Sequence, residues 1–317
     1  MKKLISILLG LLFTVTFAQD GFPRTVVDGQ GRELVLEQAP TRIVALFNGN
    51  LGTLATLGVL PVGTLANQEM LDDPLYFEDS SSIASVRGED GYSAELIAAL
   101  EPDLIMGGRP EHVDELSGIA PVYLSGSLNS LEDTIVELRR ASTLFGLEDD
   151  AEAIIGQFED RLAAYALASP GDVSVMFTGL RADSIAVRTQ NSTDCSLLNQ
   201  IAMCDWPDPT GGTSWSFATT SEGVLDLNPD VIIYGNWTGG DISNDDIFTR
   251  LDSDPLWQEL TAVQNDRVLI TPGYNNPIAS SLIGATKILD TFAPQIYPEV
   301  FEGPLTSEEI QEILSAN

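Results

Sequence analysis

Leu128-Asn-Ser-Leu-Glu-Asp-Thr-Ile135 opens a stretch that runs without a proline to Tyr165-Ala-Leu-Ala-Ser169. Strong helix formers dominate it, and apolar residues recur at Leu131, Ile135, Leu138, Ala151, Ile154, Ile155, Phe158, Leu162 and Tyr165. That spacing is helical, with one buried face. Ser130 with Asp133 reads as a capped start and Pro170-Gly171 as the stop, while Gly146 breaks the run into two helices or kinks it. Before the stretch stands Ser93-Ala-Glu95-Leu-Ile-Ala-Ala-Leu-Glu-Pro102-Asp103-Leu-Ile-Met, and after it Thr220-Ser-Glu222-Gly-Val-Leu-Asp-Leu-Asn-Pro229-Asp230-Val-Ile-Ile. Each sets a glutamate seven residues ahead of a Pro-Asp pair and ends in an apolar strand. The chain therefore reads as two similar α/β halves joined by a long rigid helix. The boundaries follow as a first lobe over 19–128, an inter-lobe helix over 129–169 and a second lobe over 170–317.

Residues 1–18 read as a secretion signal. Met1-Lys2-Lys3 is basic, Leu4 to Phe17 is apolar, and Thr16-Phe17-Ala18 fits cleavage after Ala18. The apolar run of about 14 residues is shorter than the roughly 20 that a spanning helix needs. No cysteine follows it to take a lipid, so an unanchored periplasmic protein is expected.

The formal charge is −32, and Lys287 is the one lysine beyond the signal. Nucleic acid binding, which needs a cationic footprint, is excluded as an expectation. The acidity reads either as adaptation to a salty habitat or as steering of cationic ligands or partners. Cys195 and Cys204 are the two cysteines. A disulfide is the natural state in an oxidising compartment; two free thiols or a metal or redox site are the alternatives. Were Ser196–Met203 one straight helix, the two Cα atoms would stand about 13 Å apart, whereas a bond needs roughly 4.4–6.8 Å. A disulfide therefore requires the helix to end early and the chain to double back.

Short strands and helices alternate along both halves. In the first, a hairpin around Asp28–Gly31 precedes strands at 42–47, 60–64, 104–106 and 122–124, with helices at 51–57, 92–100 and 113–117 between them. In the second, strands at 173–177, 184–187, 231–234 and 267–270 alternate with helices at 196–202, 221–227, 245–251, 256–260 and 279–292. This alternation predicts mainly parallel sheets covered on both faces. Ligands in such sheets sit beyond the carboxyl ends of strands. The candidate loops are 48–50, 67–71, 87–92, 107–109, 178–181, 235–237 and 272–276, which put Asn48, Arg181, Asn236, Trp237 and Tyr274 among the candidate ligand contacts, and Trp215, in a further second-lobe loop, joins Trp237 and Tyr274 as a candidate aromatic wall.

The tools of catalysis are missing. No nucleophile elbow, phosphate loop or dinucleotide fingerprint is present, and His112, the one histidine, sits in a polar segment as a solvated helix-start residue. One imidazole and two thiols do not make a transition-metal site. No catalytic residues, direct metal ligands or intrinsic cofactor are expected. A carboxylate pair among 47 acidic residues keeps an enzyme on the same two lobes open as a rival of another class.

Several segments, in order, resemble the two-lobed solute-binding proteins of bacterial importers for ferric siderophores, haem and cobalamin. They are Arg42-Ile-Val-Ala, Ser93–Met106, Gly107-Gly-Arg109 through Ile119-Ala-Pro121, Thr220–Ile233, and Asp254-Pro-Leu-Trp257 to Ala262-Val-Gln-Asn-Asp-Arg-Val268. The resemblance implies a ligand cleft between the lobes and delivery to an inner-membrane ABC permease and its ATPase, with the protein acting as a monomer. It implies that Glu95 and Glu222 dock onto permease arginines. It places ligand arginines at Arg109 and Arg87, whose planar guanidinium suits anionic oxygen. Where catecholate binders carry further arginines in the second lobe, this chain has Thr193 and Asn236, with Arg181 and Arg188 nearby but unmatched. The expected ligand is thus an Fe(III) chelate less anionic than a tris-catecholate, with cobalamin or another organic cofactor as the alternative.

Overall fold

Ile43 and Ala45 of the first buried strand pack into one apolar cluster and Val44 into another. A strand whose two faces are both buried must lie inside a sheet covered on both sides. The computed structural model describes residues 21–66, 68–73, 76–88, 91–180, 184–236, 243–271 and 280–316. It begins with an antiparallel hairpin of β1 (Arg24–Val27) and β2 (Glu33–Leu36). Next come β3 (Ile43–Ala45), α1 (Asn48–Thr56), β4 (Gly63–Thr64), β5 (Ala84–Ser85), α2 (Ala94–Ala99), β6 (Leu104–Met106) and β7 (Val122–Tyr123). These strands form a five-stranded sheet of order β5-β4-β3-β6-β7, parallel throughout.

The crossing stretch is two helices, α3 (Leu131–Ser142) and α4 (Glu148–Ala168). Gly146 separates them at φ +71°, a left-handed turn that glycine adopts without strain. The Ser130 hydroxyl accepts from the Asp133 amide at 3.0 Å, the expected cap.

A second five-stranded sheet follows, from β8 (Val175–Leu180), β9 (Ile185–Arg188), β10 (Ser216–Thr219), β11 (Val231–Asn236) and β12 (Val268–Ile270). Its order is β10-β9-β8-β11-β12, and here the second half departs from the first: β8 is parallel to β11 and β11 to β12, but β9 is antiparallel to both its neighbours. The connection from β8 to β9 is too short for a parallel crossover, so the chain must reverse. Helices α5 (Thr193–Leu198), α6 (Ser221–Leu227), α7 (Leu282–Ile296) and α8 (Ser307–Ala316) complete what bears on the site. Val175, Phe177 and Ile233 face one cluster and Met176, Ile232 and Tyr234 the other, so this sheet too is covered on both faces.

The two Pro-Asp pairs do equivalent work. Glu101 and Asn228, the residues before each proline, are left-handed at φ 45° and 41°. Asp103 accepts from the amides of Thr41 and Arg42 at the entry to β3, and Asp230 accepts from the amide and hydroxyl of Ser174 at the entry to β8. Each aspartate pins the start of its neighbouring strand.

The halves also touch directly through α7. Its Leu282, Ala285, Ile288 and Leu289 sit in a second-half cluster, while Ile283 packs on the first-half cluster. Gly52 of α1 lets Ser281 approach so closely that a Cβ there would lie 2.5 Å from the serine hydroxyl. Lys287 pairs with Asp73.

Candidate functional site

A cleft of about 520 Å³ opens between residues of both halves, within the usual size of small-molecule sites. One wall comes from the first half. Phe47, the residue capping α1, is 50% exposed there, and loop 126–129 after β7 completes the wall. The other wall comes from Arg188 at the end of β9, Ser192–Asp194 at the start of α5, Trp215 just before β10, and Ser280.

The first wall is held from behind. Gly29 approaches the backbone at Gly126 so closely that no Cβ fits, and its amide donates to Leu124 O at 2.8 Å. Asp28, fully buried, accepts from the Leu124 amide and takes Arg32 through two nitrogens. Burial pushes the Asp28 carboxyl up, but the Arg32, Gln30 and Leu124 hydrogen bonds outweigh it and hold the carboxyl below its usual range. Glu137, 1% exposed, accepts from the Gly126 amide, the Tyr123 hydroxyl and Arg140. Asn50 donates to the Ser125 hydroxyl.

The second wall carries the charge. The Arg188 guanidinium lies 4.3 Å over the Trp215 ring and has its Nε 2.9 Å from Asp194 Oδ2. Arginine and aspartate side chains are 19% and 8% exposed. The two form a close, largely buried ion pair. Burial raises the Asp194 carboxyl above its usual range, and the Arg188 charge offsets only part of that rise; with the guanidinium 2.9 Å away, the ionised pair is nonetheless the form the geometry stabilises. The start of α5 is fixed by the Ser192 hydroxyl, which caps the Cys195 amide, and by the Cys195–Cys204 disulfide. Helix α5 ends at Leu198 and the chain doubles back, bringing the two Cα atoms to 5.0 Å. Thr193 bonds across the cleft floor to Leu128 O at 2.5 Å.

The sequence-derived contacts fall in three groups. Trp215 lies on the cleft. Asn48 opens α1 half-buried beside Phe47, while Arg87 and Arg109 stand exposed outside the described lining. Arg87 donates to Leu65 O, and Arg109 lies 3.8 Å from Glu111. Arg181, Trp237 and Tyr274 lie outside the described residues, and of Asn236 only the backbone, in β11, is described. Thr193, read as a departure from the catecholate pattern, is on the wall. Arg188, nearby but unmatched in the sequence, lines the cleft, and Asp194 is the addition. Reading the second half as a parallel copy of the first directs attention to the carboxyl ends of its strands, whereas Arg188 ends an antiparallel strand. The signal for it was the shortness of the β8–β9 link. His112 stands at a helix start as expected, but it is half-buried and edge-on to Tyr92 at 5.3 Å.

No cluster of metal-ligating side chains is present among the described residues, and none of their helices is long and apolar enough to cross a membrane. The cleft is built to hold a polar molecule of several hundred cubic ångströms by a guanidinium, hydroxyls and two exposed aromatic rings. A second hollow of about 470 Å³ between α1, α4, α7 and α8 has its one arginine, Arg161, committed to Asp290 at 2.7 Å and to Leu305 O.

Residues 43–274 match the family model described as periplasmic binding protein. The chain is 30% identical over 267 residues to the lipoprotein YhfQ of Bacillus subtilis (strain 168), covering 79% of this chain and 82% of the relative. It is 29% identical over 270 residues to the Fe(3+) dicitrate-binding periplasmic protein FecB of Escherichia coli (strain K12), covering 82% and 84%. Among solved structures, the triscatecholate siderophore binding protein FeuA of Bacillus subtilis, complexed with ferri-bacillibactin, superposes with a TM-score of 0.73 at 15% identity, over 87% of this chain and 98% of that one.

Proposed function

The chain belongs to the periplasmic binding protein family, and from that premise we propose that it is the substrate-binding component of an ABC importer, carrying a ferric chelate to an inner-membrane permease. The cleft between the halves carries this reading. It offers one guanidinium backed by a tryptophan face, with hydroxyls on the same wall. That combination suits a compact chelate whose surface presents carboxylate, hydroxamate or catecholate oxygens. Iron enters already chelated, as cargo.

Binding rather than turnover is the activity, in keeping with relatives named as binding proteins. Arg87 and Arg109 serve as rim contacts that meet the chelate as it enters. The loops bearing Arg181, Trp237 and Tyr274, with Asn236, extend the second wall. Glu95 and Glu222 dock the loaded protein onto the permease. The protein works as a monomer in the periplasm after removal of residues 1–18, with lobes over 19–128 and 170–317.

Tryptophan fluorescence titration with ferric dicitrate and with a neutral ferric tris-hydroxamate tests the reading. Saturable one-to-one quenching by at least one of them is expected. The Arg87→Ala/Arg109→Ala double variant should weaken binding of an anionic chelate about tenfold, the worth of a charged contact of roughly 1.5–3 kcal/mol reduced by exposure. Failure of the native protein to bind any ferric chelate overturns the function; unchanged affinity in the double variant removes both arginines from the ligand's path.

A further inference from the structure

Among the described residues lining the cleft, Arg188 and Asp194 are the only charged ones. They lie on the same wall, 2.9 Å apart, and the aspartate is the more buried of the two. A ligand oxygen that approaches the guanidinium also feels the carboxylate paired with it, and that repulsion offsets part of the attraction. The wall keeps N–H donors and a cation–π platform but presents a weakened positive field. The aspartate and the guanidinium form a close ion pair, so the aspartate acts on a ligand through the field of that pair. The Trp215 face lies against the guanidinium at 4.3 Å.

We propose that Asp194 is a specificity-determining residue: by offsetting part of the charge of Arg188 it tunes the cleft to ferric chelates of low net charge and against multiply anionic ones. This rests on the ferric-chelate reading above. Asp194 touches no ligand in this scheme; it acts through Arg188. Substitution by asparagine keeps the size and an oxygen while removing the charge, so it uncovers Arg188.

The experiment measures Kd for two probes, ferric dicitrate as the anionic chelate and the neutral tris-hydroxamate ferrichrome, on the full mature protein. In Asp194→Asn the anionic chelate should bind about tenfold tighter, with the neutral one unchanged within about twofold. In Arg188→Gln/Asp194→Asn the gain should vanish, because it comes through Arg188. A merely structural role would move both probes together. Should Asp194→Asn lose its cooperative thermal transition, Asp194→Ser carries the same expectation. Weaker or unchanged anionic binding in the charge-removing variant, or a gain that survives loss of Arg188, overturns the inference while leaving the ferric-chelate reading intact. Binding of neither probe by the native protein overturns both.

Discussion

Loop 124–129 forms much of the first wall, and two buried carboxylates, Asp28 and Glu137, hold it through backbone amides. A buried carboxylate is tolerable only when its oxygens are met by donors, and Asp28 meets its cost with Arg32 and three amides. Its carboxyl is held below the usual range in the folded protein, so it binds a proton less readily folded than unfolded. The stability it provides is present above the unfolded value near 3.9 and is lost as pH falls through the lower folded value. Asp28→Asn should cost about 2–4 kcal/mol at pH 7 by stranding Arg32 and the Leu124 amide, and should flatten the decline of stability below about pH 4. Chemical denaturation at pH 7 and thermal melts from pH 6 to pH 3 check both; a variant as stable as the parent at pH 7 removes Asp28 from this role. At this scale the sequence was partly legible. The turn Asp28-Gly29-Gln30-Gly31 announced a hairpin, but nothing local said that its aspartate and first glycine would brace a loop some 96 residues away. Trp215 was readable as a cleft aromatic, and Arg188 as near the site, but placing Arg188 on the wall needed the strand directions and Asp194 had no signal of its own.

Among the elements, those with strong local signals were legible to within a few residues. Strand β6 and helix α6 stand where the sequence placed them, and Gly146 divides α3 from α4 as its position implies. Strand β10 and helix α8 were not read at all: Ser216-Phe-Ala-Thr219 is too short for a clear alternation, and β10 exists because β9 offers an open edge to pair with. The repeated Pro-Asp pairs proved to be staples between neighbouring strands, a long-range hydrogen-bonding reason for a pattern visible only as a repeat. The disulfide is an element-scale constraint as well. Closing a ten-residue loop lowers the entropy of the unfolded chain by an amount worth roughly 2.7 kcal/mol, and it fixes the turn behind Ser192–Asp194. Cys195→Ser/Cys204→Ser should lose about that much stability in urea and weaken chelate binding as α5 loosens. Retained affinity alongside lost stability would show that α5 holds its place without the bond.

The whole molecule joins its halves twice, through the α3–α4 pair and through α7, whose Ile283 and Lys287 reach first-half residues. That double connection restrains how the two halves can move relative to each other. Glu95 and Glu222 lie one on each half. Each is exposed in the first turn of a short helix, α2 or α6, capped by Ser93 or Thr220. The staples of the repeat run through Asp103 and Asp230 and do not use the glutamates. Only a contact of Glu95 with the Ser93 hydroxyl at 3.0 Å engages them among the contacts described. Two exposed carboxylates, one per half, suit the docking role proposed for them. Each carboxylate meeting a cation at a solvated rim contributes modestly in salt, so one loss should weaken docking and two should nearly abolish it. Neither residue lies on the cleft lining, so chelate affinity in solution should not change. Uptake of iron-labelled chelate by cells carrying Glu95→Ala, Glu222→Ala or both, set beside solution Kd values of the same variants, separates the two roles. Undiminished uptake by the double variant at normal expression refutes docking through these residues. If solution affinity instead falls in step with uptake, the two glutamates act on the cleft, and the face presented to the permease lies elsewhere on this strongly acidic surface.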